Sequence, residues 1–591
     1  MVKTGVAFGD FIFLEKPRKQ KSYFNPKNST RDFFLVLISV VFFILLIIKI
    51  FSLQIIEGSR YRSLSNSNRI RTVVIHAPRG VIFDRNNEPL VFNIPGFRKI
   101  EKGKARLLSQ NEALSAIANG EKDLDFDSLR KYPYGEIFAH VLGYIGEISE
   151  DELKDNRFSG YKGGDFVGKN GVEQYYEDTL RGIDGKQLVE VQSNGKVVRK
   201  LGQTDPVSGR NITLNLDAKL QKTAFEAIKE IGRGAVVVST PKGEILTLLS
   251  KPSFDPNLFT LPPKLIASGS SQKLTDILFD EKGKPLLDRA ISGTYPPGST
   301  FKLVVAASGL ENKIIDEHYE VVDNGFISVG AFTFSNWYFT GYGKTEGPVN
   351  VVKAIRRSTD TFFYKLAELV GVDKISDMAE KFGLGKKLGI DLSGEKNGIV
   401  PTPPWKEKEI HEPWYLGDTY HYGIGQGYLL TTPLQVNGWT QAIANGGTLY
   451  RPHLLKDENS KILNKNFLSD KTVSLIREGM IGSCSTGGVA WPLFEFKVKN
   501  PKLKIDGKNF LSTPESTTSA SFADFRKVTV ACKTGTAQHG GETTLPHAWI
   551  TLFAPAYNPQ IVVTVLAEES GEGSNIAAPI AKKILEEWFS R

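Results

Sequence analysis

Hydrophobic and polar positions fall into three regimes along this chain. Residues 33–48 carry no charge, and beyond Lys49 the apolar run resumes over 50–56. A bilayer core takes about 20 residues of helix. Lys49 lies near the helix end, where its ammonium can reach the interface, and no amphipathic stripe marks the segment as a soluble core helix. The pattern therefore predicts one transmembrane anchor over 33–56. From 57 to 205 the chain is polar and turn-rich, with short apolar runs at 71–75 and 80–83 that read as isolated strands. No nucleophile-and-base set stands out there, and the segment reads as a pedestal. From 206 to 591 the pattern is denser. Two apolar runs, 234–240 and 244–249, flank Pro241-Lys-Gly243 as a hairpin, and further strands are predicted at 528–532, 548–553 and 561–566. Between these sets the periodicity is mostly helical, as over 301–310 and 362–370. The expectation is an α/β (α+β) domain with a five-stranded antiparallel sheet, an inserted helical lobe, and a ligand cleft between them.

Charge orients the anchor. Lys16, Arg18, Lys19, Lys21, Lys27 and Arg31 precede it, so the positive-inside rule puts 1–32 in the cytoplasm and the pedestal and larger domain outside. Arg60, Arg62, Arg69 and Arg71 on the far side oppose that bias. No small-residue cleavage site follows the run, which favours an uncleaved anchor in the cytoplasmic (inner) membrane. The net charge of +9 is spread over 591 residues with interspersed acids, too dilute to argue for nucleic acid. The two cysteines and eight histidines form neither CxxC nor HExxH, so no metal and no cofactor are expected.

Three short elements carry candidate chemistry. In Ser299-Thr-Phe-Lys302 a serine and a lysine sit three apart at the start of a predicted helix, on one face. The spacing recurs at Ser128 with Lys131, Ser159 with Lys162, Ser193 with Lys196, Ser239 with Lys242, Ser270 with Lys273 and Ser393 with Lys396, so context must decide. Ser299 follows the rigid turn Tyr295-Pro-Pro-Gly298 and heads an apolar helix whose dipole points at it. The bland alternative is an N-cap serine with a solvated lysine. Lys533-Thr-Gly-Thr536 follows the predicted strand 528–532, and its glycine permits close approach of a ligand; Lys3-Thr-Gly5 is a decoy on the cytoplasmic side. Ser358-Thr-Asp360 precedes a helical run and, taken alone, reads as an N-cap.

Ser-x-x-Lys, Ser-x-Asp and Lys-Thr-Gly in this order resemble the signature of penicillin-binding proteins and serine β-lactamases. The chain also resembles class B penicillin-binding proteins at Ala77-Pro-Arg-Gly-Val-Ile-Phe-Asp-Arg85, His140-Val-Leu-Gly-Tyr144, Gly171-Val-Glu-Gln-Tyr175 and Leu180-Arg-Gly182, and at Asp217-Ala-Lys-Leu-Gln221, Gly417-Asp-Thr419, Gly423-Ile-Gly-Gln-Gly427, Thr432-Pro-Leu-Gln435 and His547-Ala-Trp549. Asp360 with Lys533-Thr-Gly-Thr-Ala-Gln538 resembles the elongation, rod-shape type. The resemblance implies a pedestal of the dimerisation type (57–205), a transpeptidase domain (206–591), and cross-linking of peptidoglycan through a D-Ala-D-Ala stem peptide, with β-lactams as inhibitors. It implies Ser299 as nucleophile, Lys302 as its base, kept neutral by burial and by Lys533, Ser358 as proton relay, and Asp360 orienting lysine and serine. Lys533, Thr534, Gly535 and Thr536 would receive the substrate carboxylate, with the N–H groups of Ser299 and Thr536 as oxyanion hole. A polytopic, SEDS-type glycan polymerase would be the membrane partner. The alternatives are a D,D-carboxypeptidase or β-lactamase, and a non-catalytic β-lactam sensor or scaffold. Cys532 stands where the family commonly has glycine; with Cys484 it forms either a disulfide or two small buried thiols. Residues 494–527 are longer and more polar than the usual connection.

Overall fold

The computed structural model describes residues 29–591, apart from 102–103, 120, 122–123, 193–196, 263–265, 267–271, 457, 501–524 and 541–543. Most of the 1–32 tail, with its Lys3-Thr-Gly5, and most of 494–527 thus lie outside the described residues, as do Ser193, Lys196 and Ser270. The chain divides into two units, 1–73 with 187–203, and 74–186 with 204–591.

In the first unit the charge-free run lies within helix α1, Ser29–Phe51, which passes through a π turn at Ser52–Ile56 into a polar helix, Gly58–Arg69. Residues 30–56 are long and apolar enough to cross a membrane, and their side chains are exposed. At 1.5 Å per residue they extend about 40 Å, more than a bilayer core requires. Most of a three-stranded sheet, Ile70–Ile75, Gly185–Val191 and Val197–Thr204, also falls in this unit. The helix at 58–69 was not predicted, since its polar sequence has no apolar period to reveal it.

In the second unit, the pedestal residues include a long strand, Pro89–Glu101, paired on both sides, by Lys104–Leu108 and by Asp125–Lys131. Its Pro95 and Gly96 hid it from propensity. Three charged side chains lock this region together. Glu173, fully buried, accepts from Arg79 Nε at 2.6 Å and Arg130 Nε at 2.7 Å.

The larger part of the unit is built on helix α2 (Ala218–Ala227), strands β1 (Gly234–Ser239) and β2 (Ile245–Lys251), helices α3 (Lys302–Glu311), α4 (Val351–Arg357), α5 (Asp360–Val370), α6 (Pro433–Ala444) and α7 (Asp470–Ser483), strands β3 (Ala531–Ala537), β4 (His547–Ala554) and β5 (Ile561–Ala567), and helix α8 (Ala577–Phe589). The strands form one antiparallel sheet in the order β2-β1-β5-β4-β3. Alternation along each strand feeds two cores. Ala235, Val237, Trp549, Phe553, Val562 and Leu566 pack toward the helical lobe. Val236, Val238, Ile550, Leu552, Val563 and Val565 pack toward α2 and α8. Both faces are buried, which is why these strands read as continuous apolar runs.

One strand departs from its predicted bounds. Residues 528–530 are a buried apolar approach, and β3 runs over Ala531–Ala537 with the Lys-Thr-Gly inside it. An edge strand that lines a cleft is polar where it does so, and its apolar flank imitates a strand.

Candidate active site

Ser299 lies in a 3-10 turn, Gly298–Phe301, that runs directly into α3. The turn is set by Pro297, by a hydrogen bond from Gly298 N to Gly425 O (2.9 Å), and by Trp549 Nε1 donating to Pro296 O (3.1 Å). In 3-10 geometry residues i and i+3 eclipse, so Ser299 and Lys302 share a face. Ser299 is half-buried, and Lys302 has no exposed surface.

Ser358 is no N-cap. It closes α4 in the left-handed conformation (φ 57°, ψ 38°), Thr359 takes the N-cap position of α5, and Asp360 opens that helix. A non-glycine residue there costs about 1–2 kcal/mol, and such strain persists where surrounding contacts over-determine it. Here the contacts are two ammonium groups. Lys302 Nζ donates to Ser358 O (2.8 Å), Ser358 Oγ (3.3 Å) and Asp360 Oδ1 (2.6 Å). Lys533 Nζ donates to Ser358 Oγ (2.8 Å) and to Thr534 O (2.8 Å). With both acceptor sites of Ser358 Oγ taken by lysines, its own proton is directed elsewhere.

The carboxylate of Asp360 is fixed from behind. Its Oδ2 accepts from Trp337 N (2.9 Å), its N–H donates to Asn336 Oδ1 (3.1 Å), and Asn336 Nδ2 donates to Asp323 Oδ2 (2.9 Å). Trp337 Nε1 donates to Arg357 O (3.0 Å), one residue before Ser358. Sequence reasoning missed Asp323, Asn336 and Trp337, because they sit on loops and short elements with no spacing relation to the Ser-x-Asp.

Burial pushes the Lys302 ammonium below the usual lysine range, while the charge and hydrogen bond of Asp360 pull the other way. Lys533 is held well below that range, first by burial and then by the charge of Lys302, with Asp360 again opposing. The repulsion between the two ammoniums is thus felt at Lys533, whereas burial is the leading influence on Lys302.

The remaining predicted residues follow Lys533 along the edge strand. Thr534 is buried and Thr536 exposed, with Gly573 N donating to Thr536 Oγ1 at 3.5 Å. Gly535 is required by close approach, since a Cβ there would meet Pro297 O at 3.0 Å and Thr300 Cγ2 at 3.1 Å. The strand therefore passes directly against the turn that holds Ser299. Lys302, Ser358, Asp360 and Lys533 form one hydrogen-bonded cluster, and the turn that carries Ser299 lies against β3, the strand that carries Lys533. Of the decoys, Ser239 with Lys242 spans the β1–β2 turn and Ser128 with Lys131 lies on a pedestal strand. Cys484 and Cys532 are joined as a disulfide, with their Cα atoms 5.8 Å apart.

A serine and a lysine at the head of a buried helix, facing a second buried lysine on a sheet edge, define a serine acyl-transfer site. The model of the penicillin binding protein transpeptidase domain matches residues 234–586, that of the penicillin-binding protein dimerisation domain matches 122–214, and the chain belongs to the class B penicillin-binding proteins. The peptidoglycan D,D-transpeptidase MrdA of Haemophilus influenzae is 32% identical over 648 residues, covering 96% of this chain and 94% of that protein. The penicillin-binding protein PBP2 of Helicobacter pylori, solved in complex with MreC, superposes with a TM-score of 0.71 at 29% identity, over 88% of this chain and 99% of that one. A chain from a structure described as a peptidoglycan synthase complex coordinating polymerization and crosslinking gives a TM-score of 0.69 at 28% identity, over 95% of this chain and 98% of that one. This protein is accordingly a serine-type peptidoglycan D,D-transpeptidase of the elongation type.

Proposed function

We propose that Ser299 is the nucleophile of this transpeptidase and that the buried cluster divides proton handling from substrate binding. Ser299 Oγ attacks the carbonyl of the penultimate D-Ala of a stem peptide, and its proton passes to neutral Lys302. The tetrahedral oxyanion forms in a hole made by the N–H groups of Ser299 and Thr536. Removing one such donor in comparable enzymes costs about 10²- to 10³-fold in turnover. The C–N bond breaks, and the proton taken up by Lys302 is relayed through Ser358 Oγ to the departing D-Ala amine, which leaves Lys302 neutral again. The amine of a neighbouring stem then attacks the ester, releasing Ser299 and forming the cross-link. Asp360 orients Lys302 and Ser358, while Lys533, Thr534, Gly535 and Thr536 receive the terminal carboxylate. The same acylation by a β-lactam leaves a long-lived adduct.

The observation that carries this reading is the convergence of both ammoniums on Ser358 Oγ, at 3.3 and 2.8 Å, in a cluster whose lysines are fully buried. A buried lysine with a depressed pKa can act as a base at neutral pH. Residues 1–32 lie in the cytoplasm in this reading, the apolar helix spans the inner membrane once, and the pedestal (57–205) and transpeptidase domain (206–591) face outward. A SEDS-type glycan polymerase docks on anchor and pedestal, a partnership in keeping with the synthase-complex relative.

The test is intact-mass measurement of the full chain in detergent after incubation with a penicillin, beside Ser299→Ala. A stable adduct on the wild-type chain and none on the variant is expected. An adduct on folded Ser299→Ala refutes the assignment, and rapid drug hydrolysis moves the activity to a β-lactamase.

A further inference from the structure

We infer that the Cys484–Cys532 disulfide is a positioning element of the acyl-transfer site, holding Lys533 against Ser358. The inference rests on the role given to Lys533 above. Strand β3 is the last of its sheet, paired by β4 on one side and, among the described residues, by no strand on the other. Alternation sends Lys533 toward the helical lobe and its neighbour Cys532 to the opposite core, among Val530, Ile550 and Leu552. Cys484 closes helix α7 and sits in that same core. The bond therefore ties the strand covalently to the end of α7.

The lobe end of this tie is firm. A Cβ at Gly479 of α7 would stand 2.7 Å from Ile355 Cβ, and one at Gly482 would stand 3.1 Å from Arg356 Cδ, so α7 and α4 touch almost backbone to backbone. Arg356 Nη2 also donates to Thr486 O at 2.9 Å. Helix α4 ends at Ser358. A continuous path thus runs from Ser358 through α4, α7 and the disulfide to Cys532, one residue from Lys533, and the 2.8 Å contact between Lys533 Nζ and Ser358 Oγ closes it.

A tie is needed at this place. Lys533 is fully buried beside a second ammonium. Moving its strand outward would hydrate the charge and lengthen the distance to Lys302, and besides the ladder to β4 and the packing of the strand on the Ser299 turn and α7, the disulfide is the covalent restraint against it. Misplacement of a catalytic group by about 1 Å can cost about 10²-fold in rate, so a partial relaxation is read as a loss of about tenfold. Lys533, once partly hydrated, also titrates closer to an ordinary lysine.

The test uses the full chain in detergent, at a temperature well below the measured Tm of every sample. Acylation by a fluorescent penicillin is followed from pH 5 to 10 for the wild type, for Cys484→Ala, and for the wild type after a phosphine has cleaved the bond to two thiols. Intact mass verifies both the redox state and complete labelling at the end point. The expected result is complete labelling in all three, an acylation rate about tenfold lower without the bond, and a pH profile whose basic limb lies higher. Unchanged rates and limbs beside a lower Tm would overturn the inference, leaving a bond that only stabilises. Two free thiols in the untreated chain would overturn it as well. If Cys484→Ala fails to fold, the reduced wild type decides the matter. A folded wild type that takes no adduct would instead overturn the reading of Ser299, and the inference with it.

Discussion

Replacing Asp360 by asparagine keeps the shape of the side chain and removes its charge. The carboxylate stands 2.6 Å from Lys302 Nζ inside a buried cluster. At an effective permittivity of about 20, charges at that distance attract by roughly 6 kcal/mol. Hydrogen-bond rearrangement and water entry recover much of this, and single opposite charges at comparable range move a pKa by about 1–3 units. The sign follows from what Asp360 does to Lys302. It raises a pKa that burial lowers, so Asp360→Asn leaves the lysine neutral down to a lower pH. In the proposed mechanism acylation needs neutral Lys302 and therefore fades as pH falls through the folded-state pKa. In the variant this acid limb shifts to lower pH by about 1–3 units, while the plateau rate drops because Lys302 loses the charged acceptor that orients it. Stability carries the same signature. A lysine depressed by folding binds fewer protons in the native than in the unfolded chain between its folded pKa and 10.5, so stability rises with pH across that window. The window of the asparagine variant opens at lower pH. Stopped-flow acylation against pH, with chemical denaturation on the same samples, reads both. An acid limb that does not move, or moves upward, would refute Lys302 as the titrating base.

Three further outcomes follow from the packing. Gly535→Ala puts a methyl group 3.0 Å from Pro297 O and 3.1 Å from Trp549 Cβ; overpacking of this kind costs about 1–3 kcal/mol, and acylation should slow more than tenfold as strand and Ser299 turn separate, about what a displacement under 1 Å costs. Glu173→Gln leaves Arg79 and Arg130 buried without their shared carboxylate, a loss of about 3–5 kcal/mol seen as a lower Tm, with acylation unchanged well below it. Asn336→Ala removes the acceptor for Asp360 N–H and the donor to Asp323; kcat should fall with little change in KM, and an equal fall in binding would refute its role behind the carboxylate.

Strand count and the anchor helix were legible because each rests on long apolar runs, and apolarity is what burial on both sheet faces demands; the order of strands in the sheet was not, since it is set by tertiary pairing. The bounds of β3 were not. Its polar interior, Lys533-Thr-Gly-Thr536, is polar because it faces a cleft rather than a core, so the apolar approach at 528–530 carried the strand signal instead. Taken alone, Ser358 reads as an N-cap for a related reason. Serine before a helical run is the ordinary capping pattern, and nothing local announces that α4 ends at the same residue in a left-handed turn. The supports of Asp360, contributed by Asp323, Asn336 and Trp337, were invisible because they reach the site through tertiary folding alone.

These misreadings share a cause that bears on how the site works. An isolated buried ammonium is costly, yet Lys302 and Lys533 are both without exposed surface and face one carboxylate, Asp360. The cluster is therefore short of negative charge: burial holds both lysines below their ordinary range, the charge of Lys302 adds to this at Lys533, and Asp360 alone opposes it. A second carboxylate would quench it and keep Lys302 charged at neutral pH. An incoming substrate brings a carboxylate of its own. Bound at Lys533, it would neutralise that ammonium and favour its protonated form, while Lys302, engaged through Asp360 and Ser358, remains the site of proton uptake. The shortage then favours binding of the substrate anion and leaves the base intact. Local propensity cannot report such an arrangement, because it consists of a charge balance completed only when the ligand is present.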